Sequence, residues 1–289
     1  MVGGTPLVRL DAVTSHLADD VDVYAKLEFM NPGGSVKDRP ARRIILDAIE
    51  AGNLGDGQTL IDSTSGNTGV AYAMLGAAVG IDVTLVMPEN VSQARKHIVQ
   101  TFGAEVVYSD PMEGSDGAIR KVREMVEADD GDEYFFADQY GNPSNPKAHE
   151  ETTAPEISSQ TDGRVTHFVT ATGTSGTIMG TARGLRDENS DVEIVGIQPD
   201  DPFHGLEGLK HMPSAIEPDI YEEESLDEVR FVSTEVGWDM AQRLAVEEGI
   251  ACGYSSGANV HSAIEVAEEL DEGVVVTIVC DHADRYLGE

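Results

Sequence analysis

The sequence has few cysteines and no long apolar run. Its two cysteines, Cys252 and Cys280, are too few for the disulfide framework of a small secreted protein. No apolar stretch approaches the roughly 20 residues of a membrane-spanning helix, and no basic segment followed by an apolar one marks a signal peptide at the start. We therefore expect a cytoplasmic protein without a membrane partner, in which both thiols are buried and structural.

Positive charge is also scarce. The 289 residues include 53 Asp and Glu but only 19 Lys and Arg, which gives a formal net charge of −34. Such a charge argues against a basic surface for nucleic acid or for an anionic membrane. Because the acidic residues are dispersed along the chain, the composition indicates a halophilic protein, in which salt screens the self-repulsion. An ordinary acidic protein is the alternative.

Metal-ligand spacings are missing as well. The eight histidines show no HExxH pattern and the cysteines no CxxC pattern, so no metal site is expected.

Short β-branched runs alternate with segments of helical period, which predicts an α/β fold with mostly parallel, twisted sheets flanked by helices. The chain is long enough for about two domains. The predicted strands are Val21–Glu28, Thr59–Ser63, Val83–Met87, Glu105–Ser109, His167–Thr172, Val192–Ile197 and Val274–Cys280. The predicted helices are Ala41–Ala51, Thr68–Val79, Ser92–Phe102, Ala118–Ala128, Thr177–Asp187, Val236–Glu248 and Ala258–Leu270.

Three glycine-containing turns, each with Ser and Thr hydroxyls, follow a predicted strand and precede a predicted helix: Ser63–Gly69, Thr172–Thr177 and Tyr254–Ala258. In a parallel sheet these turns lie at the carboxyl ends of strands, where ligands bind. Backbone N–H groups at a helix start attract anions. Three such turns favour a ligand with several anionic groups, and none matches a dinucleotide fingerprint or a P-loop.

The segment Asn31–Arg39 places Lys37 after a glycine turn, at the entry to a helix. One interpretation is a capping segment, with Ser35 as the N-cap, Asp38 in the first turn and a solvated lysine. The other is a reactive amine, because the positive end of a helix and burial both disfavour the ammonium form. A neutral amine is what Schiff-base chemistry requires.

Four ordered motifs carry a resemblance to a known family: Pro32–Arg39, Thr64–Gly69, Gly173–Thr177 and Ser255–Ala258. Together they resemble the pyridoxal-phosphate-dependent cysteine synthases of the β-family, or fold type II, and most closely the cysteine synthase B type. The resemblance covers essentially the whole chain. It implies a tryptophan synthase β-like fold, with a smaller domain at 33–144 and a larger one formed by 1–32 and 145–289.

The resemblance also implies roles for residues that bind pyridoxal 5'-phosphate. Lys37 would bond covalently to the cofactor and serve as the catalytic base at the substrate α-carbon. Asn67 would bind the 3′ oxygen of the cofactor, and Ser255 its pyridine nitrogen. The phosphate would lie in a turn formed by Gly173, Thr174, Ser175, Gly176 and Thr177, in which Ser175 departs from the usual family pattern.

For the substrate, the resemblance implies a carboxylate site formed by Thr64, Ser65, Asn67, Thr68 and Gln139. The expected reaction is β-replacement on O-acetyl-L-serine or O-phospho-L-serine with sulfide, which gives L-cysteine. Lys210 would face the mouth of the site and recognise an anion, although a solvated loop lysine is an equal alternative. A homodimer is expected.

Two other functions stay open at this point. A cystathionine β-synthase-like enzyme would use a thiol in place of sulfide. A non-catalytic homologue would keep the fold as a binding protein, since fold does not imply function.

Overall fold

The structure is a computed structural model that describes residues 2–55, 57–64, 66–129 and 133–286. The chain forms two compact units, one from the segments up to Val36 and from Pro146 onward, the other from Lys37–Asn145. The assignment of domains to 33–144 and to the rest of the chain stays a prediction.

The first unit contains a six-stranded sheet in the order β1-β2-β10-β7-β8-β9 within the described residues, and all neighbours are parallel except β1 and β2. Its strands are β1 Leu7–Arg9, β2 Val21–Leu27, β7 His167–Ala171, β8 Glu193–Pro199, β9 Glu228–Val232 and β10 Gly273–Val279. Its longer helices are α6 Ala154–Gln160, α7 Gly176–Glu188, α8 Thr234–Arg243 and α9 Tyr254–Glu268.

Both faces of this sheet are covered, as the apolar strand β10 requires. Successive side chains of a strand point to opposite faces. Val275 packs in a core with residues of α8 and α9, whereas Val276 packs in a second core with residues of α6 and α7. A strand buried on both faces reads as a continuous apolar run, which is why β10 could be predicted from its sequence.

The second unit contains a four-stranded parallel sheet in the order β5-β4-β3-β6 within the described residues. Its strands are β3 Thr59–Ser63, β4 Asp82–Pro88, β5 Glu105–Ser109 and β6 Tyr134–Phe136. Its helices are α1 Asp38–Glu50, α2 Asn67–Val79, α3 Gln93–Thr101 and α4 Gly114–Ala128, and the short α5, Ser144–Ala148, begins near its end. Leu60 packs with α1 and α2 on one face, and Ile61 packs with α4 on the other.

The predicted fold class is confirmed, and the differences are local. Three short strands, β1, β6 and β9, were not predicted. Helix α1 begins at Asp38 rather than Ala41, because Pro40 lies in the first turn, where its missing N–H is not needed. The predicted helix Val236–Glu248 is α-helical only to Arg243 and continues as a π-helical turn, Leu244–Glu248.

Within the part of the chain that the structure describes, no helix is both long and apolar enough to cross a bilayer. Nor do these residues include a cluster of three or more His, Cys, Asp or Glu side chains placed to hold a metal ion.

Candidate active site

Lys37 occupies the N-cap position of α1, in the second unit, and is half-buried. Its carbonyl oxygen accepts a hydrogen bond from the N–H of Ala41 at 3.1 Å. The predicted alternative, in which Ser35 caps this helix, is wrong: Ser35 lies in the first unit and pairs with Asp281. The helix therefore begins one residue after the lysine, which places the Lys37 backbone at the positive end of the helix dipole.

The turn between β3 and α2 brings several predicted residues together. Gly66 is the N-cap of α2, and its N–H donates to Thr64 Oγ1 at 3.3 Å. Asn67 is the first helical residue, and Thr68 is buried. Ser65, the remaining predicted residue of this turn, lies outside the described residues. Backbone N–H groups and hydroxyls at a helix start suit a carboxylate.

Gln139, in the segment that follows β6, joins this turn. The Thr68 hydroxyl donates to Gln139 Oε1 at 2.8 Å, and Gln139 Nε2 donates to the Ser63 carbonyl at 3.1 Å. Gln139 is buried, and its side-chain amide makes both of these contacts. Thr64, Thr68 and Gln139 thus form a single polar cluster at the carboxyl end of β3.

Two further residues, Asp62 and Asn145, contact this cluster and were not predicted from the sequence. The Asp62 carboxylate accepts from the N–H of Ser63 at 2.7 Å and from the N–H of Gln139 at 3.2 Å. Asn145 Nδ2 donates to the Gln139 carbonyl at 2.7 Å. Burial is the main reason why the pKa of Asp62 is raised to about 7.

In the first unit, the turn Gly173–Thr177 connects β7 to α7. Ser175 is the N-cap of α7 and has a left-handed backbone, with φ of 71°. A Cβ on Gly173 would lie 1.9 Å from the carbonyl oxygen of Gly208, so only glycine fits there without a shift of the backbone. Thr174, Ser175 and Gly176 are all buried, and Thr177 is half-buried.

This turn has the donor set of an anion cradle. Among the described residues, the buried Ser175 Oγ has no hydrogen-bond partner. The turn also supplies the N-terminus of a 13-residue helix. Thr177 Oγ1 lies 3.3 Å from Nε2 of the buried His149, whose Nδ1 is 2.9 Å from Thr153 Oγ1. An unsatisfied buried hydroxyl at a helix start fits a phosphate group.

Ser255 is the second residue of α9 and is buried. One turn later, Asn259 Oδ1 accepts from the Ala171 N–H at 2.9 Å, and Asn259 Nδ2 donates to the Ile278 carbonyl at 2.8 Å. Asn259 therefore holds the start of α9 against the ends of β7 and β10. Since the Gly173–Thr177 turn follows β7 directly, Ser255 and that turn lie at the same carboxyl edge of the first sheet.

Lys210 adjoins the same turn through its backbone. Its N–H donates to the Thr172 carbonyl at 2.9 Å, and its ammonium group donates to the Ile216 carbonyl at 3.1 Å. The side chain is thus bound within its own loop in this structure, and its predicted contact with an anion stays a prediction.

Cys252 and Cys280 form no disulfide in the described residues. Burial, with a smaller effect of Asp281, raises the pKa of Cys252 to about 12, so this thiol is protonated near neutral pH and is a poor nucleophile. Cys280 is half-buried rather than buried, and its Sγ lies 3.5 Å from Asn259 Nδ2.

Comparison with known proteins agrees with an anion-binding role for the Gly173–Thr177 turn. The model of the family described as "Pyridoxal-phosphate dependent enzyme" matches residues 1–281. A cysteine synthase from Aquifex aeolicus is 49% identical, over 99% of this chain and 89% of its own length. Cysteine synthase B from Escherichia coli is 42% identical, over 99% of this chain and 92% of its own. The crystal structure of a cysteine synthase from Entamoeba histolytica superimposes with a TM-score of 0.95 at 38% identity, covering 99% and 87% of the two chains.

The predicted resemblance is confirmed over nearly the full length. The anion cradle before α7, with its buried unpartnered hydroxyl, fits the phosphate of the cofactor that names the family. The chain belongs to the pyridoxal-phosphate-dependent enzymes and, within them, to the cysteine synthase family.

Proposed function

We propose that this protein makes L-cysteine by β-replacement, in which sulfide takes the place of the ester group of O-acetyl-L-serine or O-phospho-L-serine. The observation that supports it most is the carboxylate-type cluster of Thr64, Thr68 and Gln139 in a chain 49% identical to a cysteine synthase. An α-amino acid substrate has a carboxylate for such a cluster to bind.

We assign the cofactor-binding roles to the residues that the sequence singled out. The Gly173–Thr177 turn holds the phosphate through backbone N–H groups and through the hydroxyls of Thr174, Ser175 and Thr177. Asn67 donates to the 3′ oxygen. Ser255 offers a neutral hydroxyl to the pyridine nitrogen, which leaves that nitrogen unprotonated. Lys37 bonds covalently to the cofactor.

When bound, pyridoxal phosphate withdraws electrons from the substrate and so acidifies its α-carbon. Once the substrate amine had replaced it on the cofactor, the released Lys37 Nζ would accept the α-proton as a free amine. Thr64, Thr68, Asn67 and Gln139, with Ser65, hold the substrate carboxylate and thereby fix the α-carbon in front of the lysine. Lys210 is the proposed contact for a phosphate leaving group.

We also infer a cytoplasmic homodimer. Two cysteines that form no disulfide in the described residues suit a reducing compartment. The dimer is an inference from the family resemblance.

The test is cysteine formation by purified holoenzyme with each ester and sulfide. Wild type should form cysteine, and Lys37→Ala should lower kcat by about 10³-fold or more, since both the covalent link and the base are lost. Lys121→Ala, a change at another lysine of the same unit, is the matched control and should keep wild-type kcat.

Two results would contradict the proposal. If the wild-type protein binds the cofactor but forms cysteine from neither ester, the result would favour the non-catalytic homologue. Turnover only with homocysteine in place of sulfide would favour the cystathionine β-synthase-like alternative.

A further inference from the structure

Asp62 is a buried carboxylate in β3, two residues before the substrate-carboxylate turn. Its two oxygens accept from different main-chain groups: Oδ1 from Ser63 at 2.7 Å and Oδ2 from Gln139 at 3.2 Å. Ser63 and Gln139 are distant in sequence, so this one carboxylate connects the end of β3 to the segment that follows β6.

The side chain of Gln139 returns to the same place. Its Nε2 donates to the Ser63 carbonyl at 3.1 Å, and its Oε1 accepts from Thr68 at 2.8 Å. Asp62, Ser63 and Gln139 are therefore joined in a closed ring of hydrogen bonds, to which Thr68 is attached through the Gln139 side chain. Both the backbone and the side chain of Gln139 are held by these contacts. A rotation of the Gln139 main chain would break contacts on both sides.

We propose that Asp62 is a positioning residue of the substrate-carboxylate site, holding Gln139 and the Thr64–Thr68 turn in the geometry that receives an amino-acid carboxylate. This inference rests on the proposed function. Asp62 acts from beneath the turn, through main-chain N–H groups, and need not touch the substrate. Its effect should therefore be on binding of the amino acid rather than on sulfide or on the chemical step.

Asparagine is an informative replacement because it keeps the shape of aspartate but has one acceptor oxygen. Its NH₂ group would face one of the two main-chain N–H donors, and that donor would lose its partner. Asp62→Asn should raise the KM for O-acetyl-L-serine about tenfold, the effect of one charge-assisted hydrogen bond. We expect kcat and the KM for sulfide to change by less than about threefold.

Asp47→Asn is the matched control. Its carboxylate lies in the same unit but contacts Arg43 at 2.8 Å and Ser144 at 2.6 Å. The same chemical change there should leave the KM for O-acetyl-L-serine at the wild-type value. A rise in both variants would indicate a general effect on the unit and would overturn the positioning role.

The coupling to Gln139 separates positioning from mere stabilisation. If Asp62 acts in part through Gln139, Asp62→Asn combined with Gln139→Ala should raise the KM by less than the product of the two single effects. Multiplication of the two effects would show that Asp62 acts independently of Gln139 and would overturn the proposal. Asp62→Glu serves if the Asn variant does not fold: its longer side chain displaces both acceptors, and an unchanged amino-acid KM in either folded variant contradicts the proposal.

A second readout does not depend on turnover. Calorimetry with L-alanine, which has no leaving group, should show weaker binding to the Asp62→Asn holoenzyme, whereas ethylamine, which lacks the carboxylate, should not distinguish the two proteins. Wild type that binds L-alanine but forms no cysteine would count against the proposed function alone. Equal L-alanine affinities in wild type and variant would count against Asp62 alone.

Discussion

Asp62 experiences opposing forces on one carboxyl group. Burial favours the neutral acid, and the nearby charge of Asp138 acts in the same direction. The two N–H donors, one on each oxygen, favour the carboxylate, because a protonated carboxyl has only one good acceptor oxygen. Burial dominates and raises the pKa of Asp62 to about 7. Burial is also the main reason why the pKa values of Tyr72 and Tyr140 are raised, and the Asp62 charge has a smaller effect in the same direction.

This raised pKa predicts a specific pH dependence of stability. The ordinary pKa is 3.8, so between about pH 4 and pH 7 the folded state binds more protons at Asp62 than the unfolded state does. The stabilisation from the neutral acid is complete below pH 4 and is lost as pH rises through about 7. At about 1.4 kcal/mol per unit of pKa, the loss amounts to several kcal/mol.

The measurement is chemical unfolding of wild type and Asp62→Asn from pH 4.5 to pH 8. The free energy of unfolding of wild type should fall relative to that of the variant as pH rises toward 7, and the difference should level off as pH approaches 8. A difference that is flat over this range would show that Asp62 titrates normally.

At the scale of elements, the turn before α7 depends on a close approach of two backbone segments. The Gly208 carbonyl occupies the space that a side chain at position 173 would need. Its oxygen would lie 1.9 Å from a Cβ added to Gly173. The same segment is held to the end of β7 by the bond from the Lys210 N–H to the Thr172 carbonyl. The loop that contains Lys210 therefore packs directly against the Gly173–Thr177 turn.

Gly173→Ala should consequently displace this turn. We expect at least a tenfold loss of affinity for pyridoxal phosphate, because backbone N–H donors must point at the phosphate to bind it. The affinity can be measured by titrating cofactor-free protein and following the fluorescence of Trp238, the single tryptophan.

Gly249→Ala is the control for lost stability. Gly249 has φ of 71° and open space around its Cβ position, so alanine there introduces backbone strain of about 1–3 kcal/mol without a collision. Its cofactor affinity should equal that of wild type. Equal losses of affinity in the two variants would mean that the Gly173 effect is general destabilisation.

Elements could be predicted from the sequence where burial fixes a pattern, and the misses have physical reasons. Gly273–Val279 is apolar on both faces, so its strand was evident. Tyr134–Phe136 and Leu7–Arg9 span three residues each, too short for any period to show. The catalytic role of Lys37 stays a prediction. The glycine turns could be located from the sequence because their signal is local. Asp62 could not, since its partner Gln139 is 77 residues away and only the fold brings them together.

For the whole molecule, the net charge of −34 is the dominant electrostatic feature. Several of the few cations form ion pairs with carboxylates. Lys26 is fully buried and contacts Glu156 at 2.8 Å, and Arg230 contacts both Glu228 and Glu269 at 2.8 Å. Arg230 itself is half-buried, but both of its carboxylate partners are exposed, and ion pairs at the surface contribute little to stability. Pairing with the few cations cannot neutralise a net charge of −34.

Stability should therefore increase with salt. Raising NaCl from 0.1 M to 1 M shortens the screening length from about 10 Å to about 3 Å, which weakens repulsion between carboxylates across the surface. We expect the midpoint of thermal unfolding to rise by at least about 5 °C over this range.

Neutralising two exposed neighbours, Asp19→Asn with Asp20→Asn, should raise the midpoint at 0.1 M salt and reduce its dependence on salt. Sucrose of equal osmolality controls for solute exclusion: a rise as large in sucrose as in NaCl would show that the stabilisation does not come from screening.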